Sequence, residues 1–269
     1  MKGKGLRFYA VAYLIFLYAP IILLPIFAFN DGTIIAFPLQ GFTTEWFGEL
    51  MERKALHAAV KNSLFIALVT AFLATCLGMC AARSGAMQSF PFKRSIMGFV
   101  MLPLVLPEII VAVSLLVVAV QILDFGLSNW TIIAAHVLIC TPFSIAILNG
   151  AFQAINPALE EAALDLGETR WSAFWTVIFP LVMPGVISSM LISFTISLDE
   201  FIIAFFLTGA NPTMPVYIWS LLRFPSSLPV VMALGTILVG LSVLLLTFAE
   251  IMRRRGIAKM GGKDTRGYL

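Results

Sequence analysis

The sequence predicts an all-α polytopic membrane protein with about six transmembrane helices, one for each long apolar run. Of its 269 residues, 60% are hydrophobic and only 12% charged, and the mean hydropathy is +0.99. That balance excludes a soluble globular domain. Uncharged stretches long enough to cross a hydrocarbon core of about 30 Å recur along the chain. Lys and Arg collect on one side of those stretches, as orientation in a bilayer requires. The net charge of +3 matters less than where the positive charges lie, and nucleic acid is not indicated as a partner. The whole chain, 1–269, reads as a single transmembrane domain.

The first span is expected at 8–29, broken near its end by Pro20 and Pro25 and closed by Asn30-Asp31-Gly32. It continues uncharged from Phe8 to Asn30 and lacks an A-x-A site, so it reads as an uncleaved anchor helix despite Lys2, Lys4 and Arg7 before it. In the following loop Phe42, Trp46, Phe47, Leu50 and Met51 recur at helical spacing between Glu45, Glu49 and Glu52. Two readings stand: a short amphipathic helix at the membrane interface, or a plain loop anchored by Trp46. Span two is expected at 62–82, followed by a hydrophilic turn from Arg83 to Ser95. Span three is expected at 96–120 and carries Pro103, Pro107 and Glu108. Span four is expected at 130–153, a polar stretch at 156–179, span five at 184–207, and a loop or re-entrant segment with four prolines at 209–229. Span six is expected at 230–250, followed by a basic tail at 253–269. Cys76, Cys80 and Cys140 lie in apolar runs without a CxxC or Cys/His cluster and read as packing residues.

Thirteen basic residues fall on one side of these spans: Lys2, Lys4, Arg7, Arg83, Lys93, Arg94, Arg170 and the six of the tail from Arg253 to Arg266. Four, Arg53, Lys54, Lys61 and Arg223, fall on the other. Both termini and the polar segment 154–183 are therefore expected in the cytoplasm, where ATP is available.

That segment begins with Asn156-Pro157, a side-chain cap followed by proline at the first helical position. A short helix is expected to Leu166, a turn at Gly167, and a second helical stretch from 170 that stops at Pro180. Glu161-Ala162-Ala163, Gly167, Val177, Phe179 and Pro180 resemble the "EAA loop" of ABC importer permeases, E-A-A-x3-G-x9-I-x-L-P, with Val for Ile and Phe for Leu. Gly41-Phe42-Thr43-Thr44-Glu45-Trp46, Leu106-Pro107-Glu108-Ile109-Ile110 and Ser197-Leu198-Asp199-Glu200-Phe201 resemble the spermidine/putrescine permeases of the second-subunit type.

The resemblance implies a type I importer architecture (MetI-like) in the bacterial inner membrane. It implies two permeases paired above two cytoplasmic ATPase subunits, and a periplasmic protein that delivers the polyamine. Glu161, Ala162, Ala163, Gly167 and Pro180 would form the seat on the ATPase. ATP and Mg would be bound by the ATPase subunits, with no cofactor in this chain. The chain has no G-x-x-x-x-G-K-[ST] pattern of its own and so is not the motor. Relatives of this branch carry other solutes, which leaves another small solute as an alternative to a polyamine.

The acids inside the spans bear on the solute independently. A carboxylate in mid-helix costs about 2.5–3.5 kcal/mol on insertion scales, so it faces protein or a water path. Glu108 in span three and Asp199 and Glu200 in span five are such acids, and no Lys or Arg lies centrally in any span. An acidic interior favours a cation. With Trp46 from the matching outer stretch, these three acids are the candidate solute pathway. The alternative is that they are structural, hydrogen-bonded to backbone or to a partner subunit. Asp199 and Glu200 point about 100° apart on a helix, so Ser188, Thr195 and Asp199 share one stripe and Ser189, Ser193 and Glu200 another. One stripe would line a path and the other pack on a neighbour; the sequence does not say which. His136 in span four reads as a packing residue rather than a proton relay. An intramembrane enzyme lacks any HExxH, paired His or nucleophile motif, and an ion-coupled carrier would be expected to show an internal repeat, which this sequence lacks.

Overall fold

A computed structural model describes residues 2–87 and 91–259. The helices in chain order are α1 (Lys2–Ala28), α2 (Glu45–Glu52), α3 (Lys54–Met87), α4 (Lys93–Val100), α5 (Glu108–Val117), α6 (Asn129–Gln153), α7 (Ala158–Asp165), α8 (Arg170–Ala173), α9 (Phe179–Asp199), α10 (Ile202–Leu207), α11 (Met214–Leu222) and α12 (Leu228–Lys259). π-Helical turns at Val118–Ile122 and Phe174–Ile178 extend α5 and join α8 to α9. Among the described residues five helical runs are long and apolar enough to cross a membrane: Gly5–Ala28, Lys54–Gly85, Asn129–Gln153, Arg170–Asp199 and Pro225–Leu244. The sixth segment is the shorter apolar helix Glu108–Ile122. The tail residues 260–269, and 88–90 within the predicted turn, lie outside the described residues.

Several boundaries differ from the expectation, and the proline positions account for most of them. Pro20 and Pro25 do not break α1, which runs through both to Ala28. A bilayer-spanning segment has no water to take over its backbone groups, so it retains helical bonding around a proline. Span three is not one helix: Pro103 and Pro107 divide it into α4, a 3-10 turn at Leu102–Leu104 and α5. Two prolines four apart remove donors from consecutive turns. The stretch from Arg170 does not stop at Pro180. The π turn immediately before it widens the ladder and admits the ring, so helix runs on to Asp199 and ends there rather than at 207. The proline-rich segment 209–229 contains the helix α11, and α3 continues helical through the first residues of the predicted turn at 83–95.

The chain forms two compact units, one of residues 1–54 with 218–269 and one of residues 55–217. In the first, α1 and α2 both pack on α12. Of the two readings of the first loop, the helix is the one that forms, with Leu50 buried on its inner face. Trp46 donates its indole N–H to the Asn30 carbonyl at 2.8 Å, and Phe29 stacks on Phe42 with centroids 5.2 Å apart.

In the second unit the most extensive packing is α6 against α9. Side chains are small where backbones approach: a Cβ at Gly185 would lie 2.5 Å from that of Ala151, and one at Gly78 would lie 2.5 Å from that of Ser144. Without a hydrophobic drive between helices in lipid, such contacts and interhelical hydrogen bonds hold the bundle together. One apolar cluster, including Ile132, Ile139, Ile203 and Leu207, joins α5, α6 and α10. A second, including Ala82, Leu148, Phe152, Phe174 and Ile178, lies under the polar segment.

Candidate functional site

The polar segment folds as a helix, a turn and a helix. Asn156 Oδ1 accepts the Ala158 N–H at 3.1 Å and Pro157 follows it, so side chain and ring together start α7. Gly167 has φ +91°, the left-handed conformation expected of it, with open space around the position of a Cβ. Thr169 Oγ1 then accepts the Ser172 N–H at 3.2 Å and opens α8. Glu161 and Ala162 are exposed, Ala163 is buried, and Pro180 lies within the continuous helical run. At the turn Leu166 is 87% exposed, and Trp171 on α8 is exposed as well. Exposed apolar side chains on a polar loop make a surface suited to a partner.

The acids lie at two helix interruptions. Glu108 is the first residue of α5, directly after the break made by Pro107, and its side chain is exposed. Asp199 is the last residue of α9 and is exposed; Glu200, next to it, leaves the helix with ψ 115° and is buried. Glu200 Oε1 accepts the Ile203 N–H at 2.9 Å, which caps the start of α10. α10 packs on α5, and both Glu108 and Asp199 lie within electrostatic range of Glu200. The two interruptions are therefore neighbours. The last carbonyls of α9 have no helical partners and add partial negative charge beside Asp199.

The two stripes separate cleanly by burial. Ser188, Thr195 and Asp199 are exposed, whereas Ser189, Ser193, Ser197 and Glu200 are buried. The buried serines form a polar zipper: Ser197 Oγ lies 2.8 Å from His136 Nδ1, Ser193 Oγ 2.9 Å from Ser144 Oγ, and Ser189 Oγ 3.2 Å from Thr75 Oγ1. Cys140 donates to the Ser193 carbonyl at 3.6 Å, a packing role of the kind expected. His136 is fully buried, with Nε2 unpartnered. The zipper was not anticipated as a unit, although its signal is present: His136, Cys140 and Ser144 recur every fourth residue, as do Ser189, Ser193 and Ser197.

Arg83, an orientation charge in the sequence, takes on a contact role in the fold. Its guanidinium donates to Glu160 Oε1 at 3.2 Å and lies 4.1 Å from the Phe174 ring centroid. Trp46 belongs to the other unit, half-buried on its hydrogen bond to Asn30. Among the described residues no group of three or more His, Cys, Asp or Glu side chains is arranged to hold a metal ion.

Residues 74–256 match the profile of the family "Binding-protein-dependent transport system inner membrane component". The chain is 32% identical over 256 residues to the spermidine/putrescine transport system permease protein PotC of Escherichia coli (strain K12), covering 94% of this chain and 96% of that one. It is 34% identical over 236 residues to the putrescine transport system permease protein PotI of the same strain, covering 84% and 82%. Among solved structures, a chain of a bacterial ABC transporter involved in the import of the acidic polysaccharide alginate superposes with a TM-score of 0.74 at 22% identity, covering 94% of both chains. At that identity the likeness is one of fold and leaves the solute open.

Proposed function

This chain belongs to the family of binding-protein-dependent transport system inner membrane components, and from that premise we propose that it forms half of a translocation pathway for an organic cation, most simply a polyamine. The observation that carries the reading is a single helical run, Arg170–Asp199, of 30 residues. At about 1.5 Å per residue it extends ~45 Å, from the EAA-type loop at one end to Asp199 at the other. A displacement imposed on the loop reaches the acids through one rod. The loop residues Glu161, Ala162, Ala163, Gly167 and Pro180 serve as the seat on an ATPase subunit. ATP and Mg belong to that partner, and this chain performs no catalysis of its own.

The solute is argued from the two interruptions. Glu108 and Asp199 present exposed carboxylates at neighbouring breaks, Glu200 shapes the second break from within, and helix-end carbonyls add to the negative field. A flexible polycation suits spaced carboxylates, because each amine can exchange one partner for the next without a fully unpaired intermediate. Relatives of similar length carry spermidine and putrescine in their names, which supports the same class here. Trp46 is proposed as a pathway residue on the same likeness. The assembly is this permease with a second one, two ATPase subunits and a periplasmic solute-binding protein in the bacterial inner membrane.

Two measurements test these readings. In proteoliposomes containing the complete complex, labelled putrescine or spermidine should accumulate only with ATP inside and binding protein outside; uptake driven by an ion gradient without ATP would overturn the ABC mechanism. The split of basic residues supports a cytoplasmic position for both termini. A reporter fused after Leu269 should read cytoplasmic, and a periplasmic reading would reverse the orientation together with the side assigned to the 154–183 loop.

A further inference from the structure

Arg83 lies near the end of α3 that adjoins the polar loop, far from it in sequence, and touches both of the loop's arms. Its guanidinium pairs with Glu160 on α7 at 3.2 Å and stacks over Phe174, which follows α8, at 4.1 Å from the ring centroid. Gly167 lies between these arms, so one side chain of α3 staples the two halves of the turn. The contact is largely enclosed, with the Arg83 and Glu160 side chains 27% and 13% exposed. Glu160 Oε2 is buried without a hydrogen-bond partner, and among the described residues Arg83 is the cation paired with this carboxylate.

The other end of α3 is fastened as well. Asn62 Nδ2 donates to the Asn211 carbonyl at 2.8 Å, Asn129 donates to Asn62 Oδ1, and Ser63 Oγ accepts the Met214 N–H at 2.7 Å. The bonds to Asn211 and Met214 hold the segment 208–214, which leads from α10 into the first residue of α11, to the first part of α3, and the Asn129 bond ties the start of α6 to the same place. In the middle Thr75 Oγ1 meets Ser189 Oγ on α9. An unbroken helix of 34 residues therefore has one end clamped to the EAA-type loop and the other to the 208–214 segment.

We propose that Arg83 is a positioning residue for transport: it makes α3 a second rod, beside α9, that carries movement of the coupling loop to the 208–214 segment on the opposite side of the membrane. The inference rests on the coupling role proposed for the loop. The pull on α7 passes through the ion pair, and the guanidinium face on Phe174 keeps α8 moving with it, so α3 shifts with the knob as a body. Asn62 and Ser63 then draw the 208–214 backbone along.

The test uses the complete complex with a fluorophore on a cysteine placed at Ala210 and the native cysteines replaced. In the wild type, ATP binding should change the fluorescence, and solute-loaded binding protein should stimulate hydrolysis. Arg83→Ala should abolish the fluorescence change and lower the ratio of stimulated to basal hydrolysis about tenfold, within the usual range of coupling between sites. Arg83→Lys, which keeps the charge and loses the flat face on Phe174, should lie between. Asn62→Ala should suppress the fluorescence change, and combining it with Arg83→Ala should add little, because both interrupt one rod. If Arg83→Ala keeps the fluorescence change and the stimulation while Glu161→Lys loses stimulation, the rod is refuted and the coupling loop stands. If both variants behave as wild type, the coupling role fails and takes the rod with it. Should Arg83→Ala not assemble, Arg83→Lys and Glu160→Gln decide by the same two readouts, and wild-type values in both refute the rod.

Discussion

Replacing Gly167 by valine should abolish most solute-stimulated ATP hydrolysis while the protein still inserts in the membrane. Gly167 sits at φ +91°, a region that L side chains rarely adopt, and a β-branched residue is the least tolerant of it. The strain is of the order of 1–3 kcal/mol and has no steric relief to offset it, because the space around the Cβ position is already open. The turn itself must therefore change, and with it the direction of α7 relative to the helix that runs to Asp199. Glu161→Lys tests the surface instead of the backbone: the side chain is exposed on α7, so reversing its charge leaves the fold and alters the seat. Each variant should lower the stimulated rate by about tenfold or more, since coupling between sites is commonly worth 1–3 kcal/mol. Gly167→Ala, lacking the β-branch, should fall between wild type and valine. Normal stimulated hydrolysis in both Gly167→Val and Glu161→Lys would remove the coupling role from this loop.

Much of this architecture is carried by local pattern. The apolar runs give the spans, Asn156-Pro157 gives the start of α7, and a glycine at 167 gives the left-handed turn. What the pattern does not give is how a proline is accommodated. Pro20, Pro25 and Pro180 stay inside helical runs, whereas Pro103 and Pro107 divide one. The difference lies in the surrounding backbone: a π turn precedes and relieves Pro180, whereas two prolines four residues apart leave only the short 3-10 turn at Leu102–Leu104 between α4 and α5. The site shows the same division. The three acids are visible as charges in apolar sequence, but which of two adjacent acids faces inward depends on where α9 ends. Because the helix stops at Asp199, Glu200 can turn back to cap α10, and helical phase no longer sets its direction. Arg83 is invisible for another reason. A basic residue at the end of a span reads as an orientation signal, and only the fold brings Glu160 and Phe174 to it.

Glu108→Gln and Asp199→Asn should each reduce polyamine uptake by about tenfold, with expression and assembly with the ATPase retained. Both side chains are exposed at helix interruptions that neighbour one another, so an amide changes the charge met by a passing cation without removing a packing contact. A unit charge pair at 4 Å is worth about 4 kcal/mol at an effective dielectric of 20, and only part of that is felt by a solute that keeps moving. Binding in transit has to stay weak enough for release, so the loss should appear in transport rate and leave capture by the periplasmic protein unchanged. Glu200→Gln separates charge from architecture. Its amide oxygen can still accept the Ile203 N–H and hold the start of α10, so if Glu200 serves the break and not the solute, its effect should be smaller than that of Asp199→Asn. Glu250→Gln, beyond the apolar core of the last span, should transport as wild type. The measurement is initial uptake of labelled spermidine or putrescine in the reconstituted complex, normalised to the amount assembled. Wild-type rates in both Glu108→Gln and Asp199→Asn, or a cognate binding protein that captures an anion, would end the cation pathway while leaving the family membership untouched.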